Sequence, residues 1–360
     1  MKKLLIPLAL LSLAPLTRAQ STDTIKLVDG TQIQGVKLTW MDVREVRYKV
    51  RSSEKSIVRE KVNSLLIQQA KAKGKLRKAL KAVASEDWGE AMVAYLDAAK
   101  SAKKSKVLAG FLPQYALWKA FEIARDHGTE EDRSDVISQL TKEYPETFYL
   151  PQIWEYRIRL AYKKAGTDRK RLTAIKGLVA KYLEQAKDWG SVRSEIEAEL
   201  EGVLIRERLR EIKAEDAQKS LSKLLGRAET DYPDLANRLS LHLANAVLRS
   251  GKLQEARKMF NAIINSGVAD PLTLARAYLG RGHTWFRKSS RSPEDAKKAL
   301  LDYMRIPTLF SKLDYDLTAE ALYFAIESYK AWGGPDLQAN VRRLIRRLKG
   351  RYRDSTWAKK

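Results

Sequence analysis

The sequence predicts a mainly α-helical protein in which a small β-barrel-like module precedes a long array of stacked helical hairpins, a solenoid. Three observations predict it. Between residues 23 and 67 apolar side chains alternate with period two, whereas from residue 68 onward they recur about every 3.6 residues. Ala, Leu, Lys, Glu and Arg, the strong helix formers, dominate that second stretch. Breakers are sparse, with 18 Gly and 10 Pro in 360 residues, and they fall at the intervals of turns between paired helices.

The opening residues read as an export signal. Lys2 and Lys3 precede the apolar run Leu4 to Leu13, and Thr17-Arg18-Ala19 places small residues where a signal peptidase reads them. Residues 1–19 are therefore expected to be removed, and a ten-residue apolar run is too short to span a bilayer core of about 30 Å. Loss of Lys2, Lys3 and Arg18 lowers the formal charge from +24 to +21. Export to the periplasm or the medium follows as an expectation, with no transmembrane span.

Residues 20–67 form the β module. Ile25-Lys26-Leu27 and the run from Ile33 to Trp40 flank Asp29-Gly30, a strong hairpin signal because Gly takes positive φ without steric cost. Ile33 and Val36 are out of phase by one, while Val36, Leu38 and Trp40 keep phase, so Gly35 is expected at a bulge. Val46, Tyr48 and Val50 make a third strand, and Ile57-Val58 with Val62, Leu65 and Ile67 complete a set of four or five. The phrase IKLVDGTQIQGVKLTW resembles the opening of SH3-like and Sm-like barrels. Such barrels bind RNA in some families, but no aromatic pair here marks a base-stacking platform, and an exported chain is not expected to meet nucleic acid.

Residues 68–360 form the helical domain. Its clearest hairpin has Leu243-Ala244 and Val247 on a first helix, Gly251 at the turn, and Ala256, Phe260 and Ile263 on a second. A small residue lets two helices approach, and a large one plugs the adjacent gap. A second hairpin has Gly282, Trp285 and Phe286, a turn through Ser289 to Pro293, then Ala296, Leu300 and Tyr303. A third has Ala325, Tyr329 and Gly333, then Ala339 and Leu344. Trp88-Gly89-Glu90-Ala91 with Tyr95 and Ala98 marks an earlier second helix, and FLPQYALWKAFEIARDHG starts a pair that ends at Tyr144-Pro145. Residues 150–230 are helical but fit the pattern poorly. The reading is five recognisable pairs and two degenerate ones.

These hairpins resemble the tetratricopeptide repeat. The ending GRYRDSTWAKK is similar to the phrase that closes such repeats in exported proteins of bacterial envelopes, with Arg353 where that phrase has Pro. The resemblance implies a stacked solenoid whose first helices line a binding groove for a protein or peptide of the cell envelope. It places candidate groove residues at Arg238, Leu241, Asn245 and Leu248, at Arg276, Leu279, His283 and Phe286, and at Tyr323 and Glu327. Some members clamp a carboxylate with Lys, Asn and Arg. Arg238 and Asn245 match that set only in part and Gly280 interrupts it, so no clamp is expected.

The sequence carries few residues in chemically suggestive patterns. Zero Cys excludes disulfides and thiolate sites. The three histidines, His127, His242 and His283, lack partners at metal-ligand spacing. Glu130-Glu131-Asp132 opens a helix, where acids favour the dipole, and Gly280-Arg281-Gly282 lacks the third glycine and the strand of a dinucleotide site. Scattered carboxylates such as Glu320 and Glu327 have no recognised catalytic geometry. No catalytic residue, metal or cofactor is expected. Basic runs lie at Lys71 to Lys81, Lys100 to Lys106 and Arg342 to Arg353. In the last, Val341, Leu344, Ile345, Leu348 and Tyr352 share one stripe, leaving Arg342, Arg343, Arg346, Arg347 and Lys349 on the other. Two functions result: a non-enzymatic scaffold that holds a protein segment, or an electrostatic binder of an anionic envelope lipid or polymer surface.

Overall fold

A computed structural model describes residues 22–267, 269–287 and 292–360. The expected signal at 1–19 and the centre of the turn through Ser289 lie outside them. The chain divides into two compact units, Met1–Leu150 and Pro151–Lys360.

The first unit begins with a five-stranded antiparallel sheet of β1 (Asp23–Leu27), β2 (Gln32–Met41), β3 (Glu45–Val50), β4 (Ser53–Val58) and β5 (Val62–Leu66) in the order β4-β3-β2-β1-β5. A short 3-10 turn, Arg59–Lys61, joins the two edge strands. The Asp29-Gly30 turn forms as expected, with Gly30 at φ 86° and Asp29 accepting from the Thr31 amide at 2.8 Å. Gly35 also occupies the expected bulge: Asp23 pairs with Val36 but Ile25 with Ile33, and Gly35 has φ 74°. One expectation fails. A second irregularity between Leu38 and Trp40 shifts the phase, so Met41 turns into the core and Trp40 is 43% exposed, its indole donating to Asp42.

Four helices complete this unit: α1 (Ala70–Ala84), α2 (Trp88–Ala102), α3 (Leu112–His127) and α4 (Glu130–Glu143). They pack in sequence, α1 on α2, α2 on α3 and α3 on α4. Asp87 caps α2, and Thr129 with Asp132 forms a capping box on α4, which accounts for the acidic run that opens it. Buried polar contacts fasten sheet to helices. Asp23, fully buried, accepts from the amides of Leu38, Gln68 and Gln69 and from the Gln69 side chain at the start of α1. Gln114 of α3 donates to the Met41 carbonyl at 2.9 Å and accepts from the Phe148 amide. Arg59 donates to the Phe148 carbonyl at 2.8 Å and lies 3.8 Å over that ring. Gly110 allows a close approach of backbone to sheet, since a Cβ there would sit 2.5 Å from the Thr39 carbonyl oxygen.

The second unit holds α5 (Leu150–Ala165), α6 (Arg169–Asp188), α7 (Val192–Arg208), α8 (Ala214–Ala228), α9 (Pro233–Arg249), α10 (Leu253–Asn265), α11 (Pro271–Phe286), α12 (Pro293–Leu309), α13 (Tyr315–Trp332) and α14 (Leu337–Arg351). The fourteen helices of the described residues follow one another as short-looped antiparallel hairpins, most packing on the next in sequence, the helical array expected from the sequence. Besides packing on its own partner, α9 touches α11 and α11 touches α13, so first helices stack on one another. The small-plus-large rule is met in atomic detail. A Cβ at Gly280 would fall 2.3 Å from the Phe260 ring, and one at Gly282 would fall 2.6 Å from Tyr303. The glycines of the Gly-Arg-Gly phrase are therefore there to receive aromatic plugs from α10 and α12. The stripe on α14 also holds, with Val341, Leu348 and Tyr352 buried and Arg342, Arg343, Arg346 and Lys349 exposed. Among the described residues no helix is long and apolar enough to cross a membrane.

Candidate functional site

In the second unit the first helices α5, α7, α9 and α11 line a cavity of about 520 Å³. Each contributes one helical stripe: Glu155, Arg159 and Tyr162; Glu201, Leu204 and Arg208; Arg238, Leu241 and His242; Leu272, Thr273 and Arg276. Spacings of three, four and seven residues put these side chains on one face of each helix.

Charges alternate across the cavity. Glu155 accepts from Arg159 at 3.0 Å and lies 3.4 Å from Arg238. Arg238 is 3.7 Å from Glu197, which lies 3.2 Å from Arg193, and Arg193 also donates to Asp234 at 2.9 Å. Burial works against the charge on Arg238, but Glu155, Glu197 and Glu201 outweigh it and hold the guanidinium protonated. Burial likewise opposes the charge on Glu155, and Arg238 and Arg159 keep its carboxyl below the ordinary range.

Three groups are not matched in this way. Glu201 makes no hydrogen bond or ion pair among the described residues, and burial, with Glu155 and Glu197 adding to it against the pull of Arg238, pushes its pKa up to about 7. The Tyr162 hydroxyl is buried without a hydrogen-bond partner. His242 is held neutral, its pKa lowered to about 3 by burial first and then by Arg238, Arg276 and Arg249. At the exposed rim Arg276 has only a 3.6 Å contact to Asp314, and Arg208 spans from the Gly166 carbonyl to the face of Tyr162. Unmatched polar groups around a cavity are what an incoming segment with its own donors, acceptors and charges can satisfy.

The residues proposed from the repeat resemblance divide. Arg238, Leu241 and Arg276 meet at the cavity. Asn245 turns back, donating to the Leu241 carbonyl at 2.9 Å. Leu241, Leu248, Leu279 and His283 are all buried. The helices that carry them, α9 and α11, are each covered both by their own partner and by a neighbouring first helix. His283 bonds the Tyr303 hydroxyl at 2.8 Å, and Phe286 packs edge-on against Phe324. Tyr323 packs against Trp357 of the closing phrase, and Glu327 pairs with Lys330 at 2.7 Å. Glu155, Arg159, Tyr162, Glu201 and Arg208 escaped the sequence reading because α5 and α7 fit the repeat pattern poorly. Their three-four-seven spacing of polar residues was the available signal.

The basic candidates sit together on α14. Arg342, Arg343, Arg346 and Lys349 face outward, and Arg347 reaches back to donate to the Pro307 carbonyl at 2.8 Å. Among the described residues no cluster of metal-ligating side chains occurs.

No family model matches the chain, and no curated protein matches it. Solved structures similar to it include a tetratricopeptide repeat protein from Parabacteroides merdae, at 17% identity over 77% of this chain and 97% of that one, with a TM-score of 0.42. Another is a putative kinesin light chain of Podosopora anserina with nearly identical TPR-like repeats, at 13% identity over 56% and 98%, TM-score 0.39. A third is the TPR domain of P58(IPK), at 14% identity over 78% and 99%, TM-score 0.20.

Proposed function

We propose that the protein is a non-enzymatic scaffold of the bacterial cell envelope, exported by residues 1–19, that holds a segment of a protein partner in the cavity between α5, α7, α9 and α11. One observation carries the reading: four successive first helices converge on a cavity in which, among the described residues, Glu201 and the Tyr162 hydroxyl make no hydrogen bond. The histidines and carboxylates elsewhere serve structure. His127 stacks on Trp88 at 4.0 Å, His283 binds Tyr303, and Asp132 closes a capping box. In the first unit, the strand order and the 3-10 turn between β4 and β5 support the SH3-like reading of the module. Its buried ties to α1 and α3 make it a brace for the first helices.

The rim arginines provide the test. Arg208→Glu/Arg276→Glu reverses two exposed charges and leaves the core intact, so it separates recognition from folding. Affinity capture from the native source with wild-type and variant protein is expected to recover a partner with the former and lose it with the latter. Recovery of every wild-type partner by the variant contradicts the reading.

A further inference from the structure

A second surface lies at the corner between α12 and α13, where Asp314 touches Arg276 of the cavity rim. Three large apolar side chains project there within seven residues: Leu309 is 65% exposed, Leu313 46% and Tyr315 42%. Isolated exposed leucines are ordinary on protein surfaces, but a group at one tight turn is not. The α14 helix and the segment after it come to the same corner. Arg347 donates to the Pro307 carbonyl in the last turn of α12, the Tyr315 and Tyr352 rings lie 5.0 Å apart, and the Asp354 amide donates to the Tyr315 hydroxyl.

That convergence gives the corner its charge. From Leu337 to Arg353 the chain carries Arg342, Arg343, Arg346, Arg347, Lys349, Arg351 and Arg353 and no acidic residue. Arg343 and Arg351 stand one turn to either side of Arg347, on the stripe that faces the end of α12, and Lys312 is exposed within the corner. The acids nearby are Asp314, Asp316 and Asp354. Asp314 caps α13 and lies against Arg276, and Asp354 lies beside Arg353.

We infer that this corner is a docking site for an anionic lipid bilayer, with Leu309, Leu313 and Tyr315 entering the headgroup boundary while the α14 arginines lie against acidic headgroups. Leu309, Leu313, Tyr315 and the α14 arginines are not among the residues that line the cavity. A bilayer fits better than an acidic protein because three large apolar side chains stand exposed at one turn beside a helix that carries cations and no acidic residue. Tyr is also at home in the interface between headgroup and acyl chain. Cations outside the inserted turn add long-range attraction that salt weakens, while the buried apolar contact resists salt.

Vesicle flotation tests this. The full-length mature chain is mixed with vesicles of phosphatidylcholine alone or with about one-third phosphatidylglycerol, a charge density near that of natural anionic leaflets. Flotation with the anionic vesicles only, reduced but not abolished by salt, is the expected result. Leu309→Asp/Leu313→Asp should lower the bound fraction more than tenfold at fixed lipid, and Arg343→Glu/Arg351→Glu should lower it comparably at low salt. All four positions are exposed, and an unchanged helical circular dichroism signal checks that each variant is folded. Equal binding to both vesicle types, binding indifferent to the leucine changes, or capture on polyglutamate beads without flotation each overturns the inference.

Discussion

Two carboxylates, one in each unit, have opposite surroundings: Asp23 is fully buried and Glu201 half-buried. Asp23 in the first unit takes four hydrogen bonds from backbone and side-chain donors, and with them the sheet is fixed to α1. Glu201 in the second unit has none among the described residues and resists ionisation. A buried charge that is fully satisfied holds elements together, while one left unmatched beside a cavity is a cost to the free protein that a ligand can relieve. The difference separates a unit built for cohesion from one that keeps part of its polar surface in reserve.

Removing the satisfied carboxylate should have the largest effect. Asp23→Ala leaves the Leu38, Gln68 and Gln69 amides buried without an acceptor and should cost about 3–4 kcal/mol, in line with breaking a buried charged network. Hydrogen exchange should report it in β1, β2 and the start of α1, with α9 to α14 protected as before. Protection lost equally in both units would remove the distinction drawn between them. Next, Gly280→Ala drives a methyl into the Phe260 ring and should cost about 2 kcal/mol, the usual penalty for overpacking. Phe260→Leu in the same chain should recover part of that loss in a denaturant titration, since the shorter side chain vacates the contact.

The unmatched carboxylate predicts a smaller, pH-dependent effect of opposite sign. Glu201 titrates near 7 in the folded chain against an ordinary 4.5, so between those values the folded state keeps a proton that the unfolded state releases. Stability therefore falls as pH rises through that window. Glu201→Gln should be stabilising by on the order of 1–2 kcal/mol at pH 8 and neutral near pH 4, discounted for partial solvent access. His242 runs the other way. Its folded value of about 3 lies below the ordinary 6.5, so stability is lost as pH falls between them, and His242→Gln should flatten that limb of the melting curve. The smallest change expected is Thr129→Ala, which removes the α4 cap for about 1 kcal/mol in a thermal melt.

Much of the fold was legible because it depends on local rules. Asp29-Gly30, the Gly35 bulge and the Gly251 turn follow from which residues tolerate positive φ, and Gly280 and Gly282 follow from how closely helices pack. The phase slip at Trp40 was not legible, because it is set by β2 crossing Gly110 and Gln114, which lie about 70 residues away. The cavity was legible only through Arg238, Leu241 and Arg276. Its other walls come from α5 and α7, where the repeat pattern fades, and only the stacking of first helices brings their stripes to those on α9 and α11. Burial of Leu248 and His283 was hidden for the same reason, since a helical period shows which residues share a face but not how many neighbours cover it.

Whether a partner segment lies in the cavity between first helices is decided by site-specific photocrosslinking. A benzophenone side chain placed at Arg208 or Arg276, on the cavity rim, is compared with one at Lys219 or Lys258, exposed on second helices. After irradiation in the native source, discrete crosslinked species are expected from the rim positions and none from the second helices. Crosslinks of equal yield from all four positions, or from the second helices alone, would contradict it.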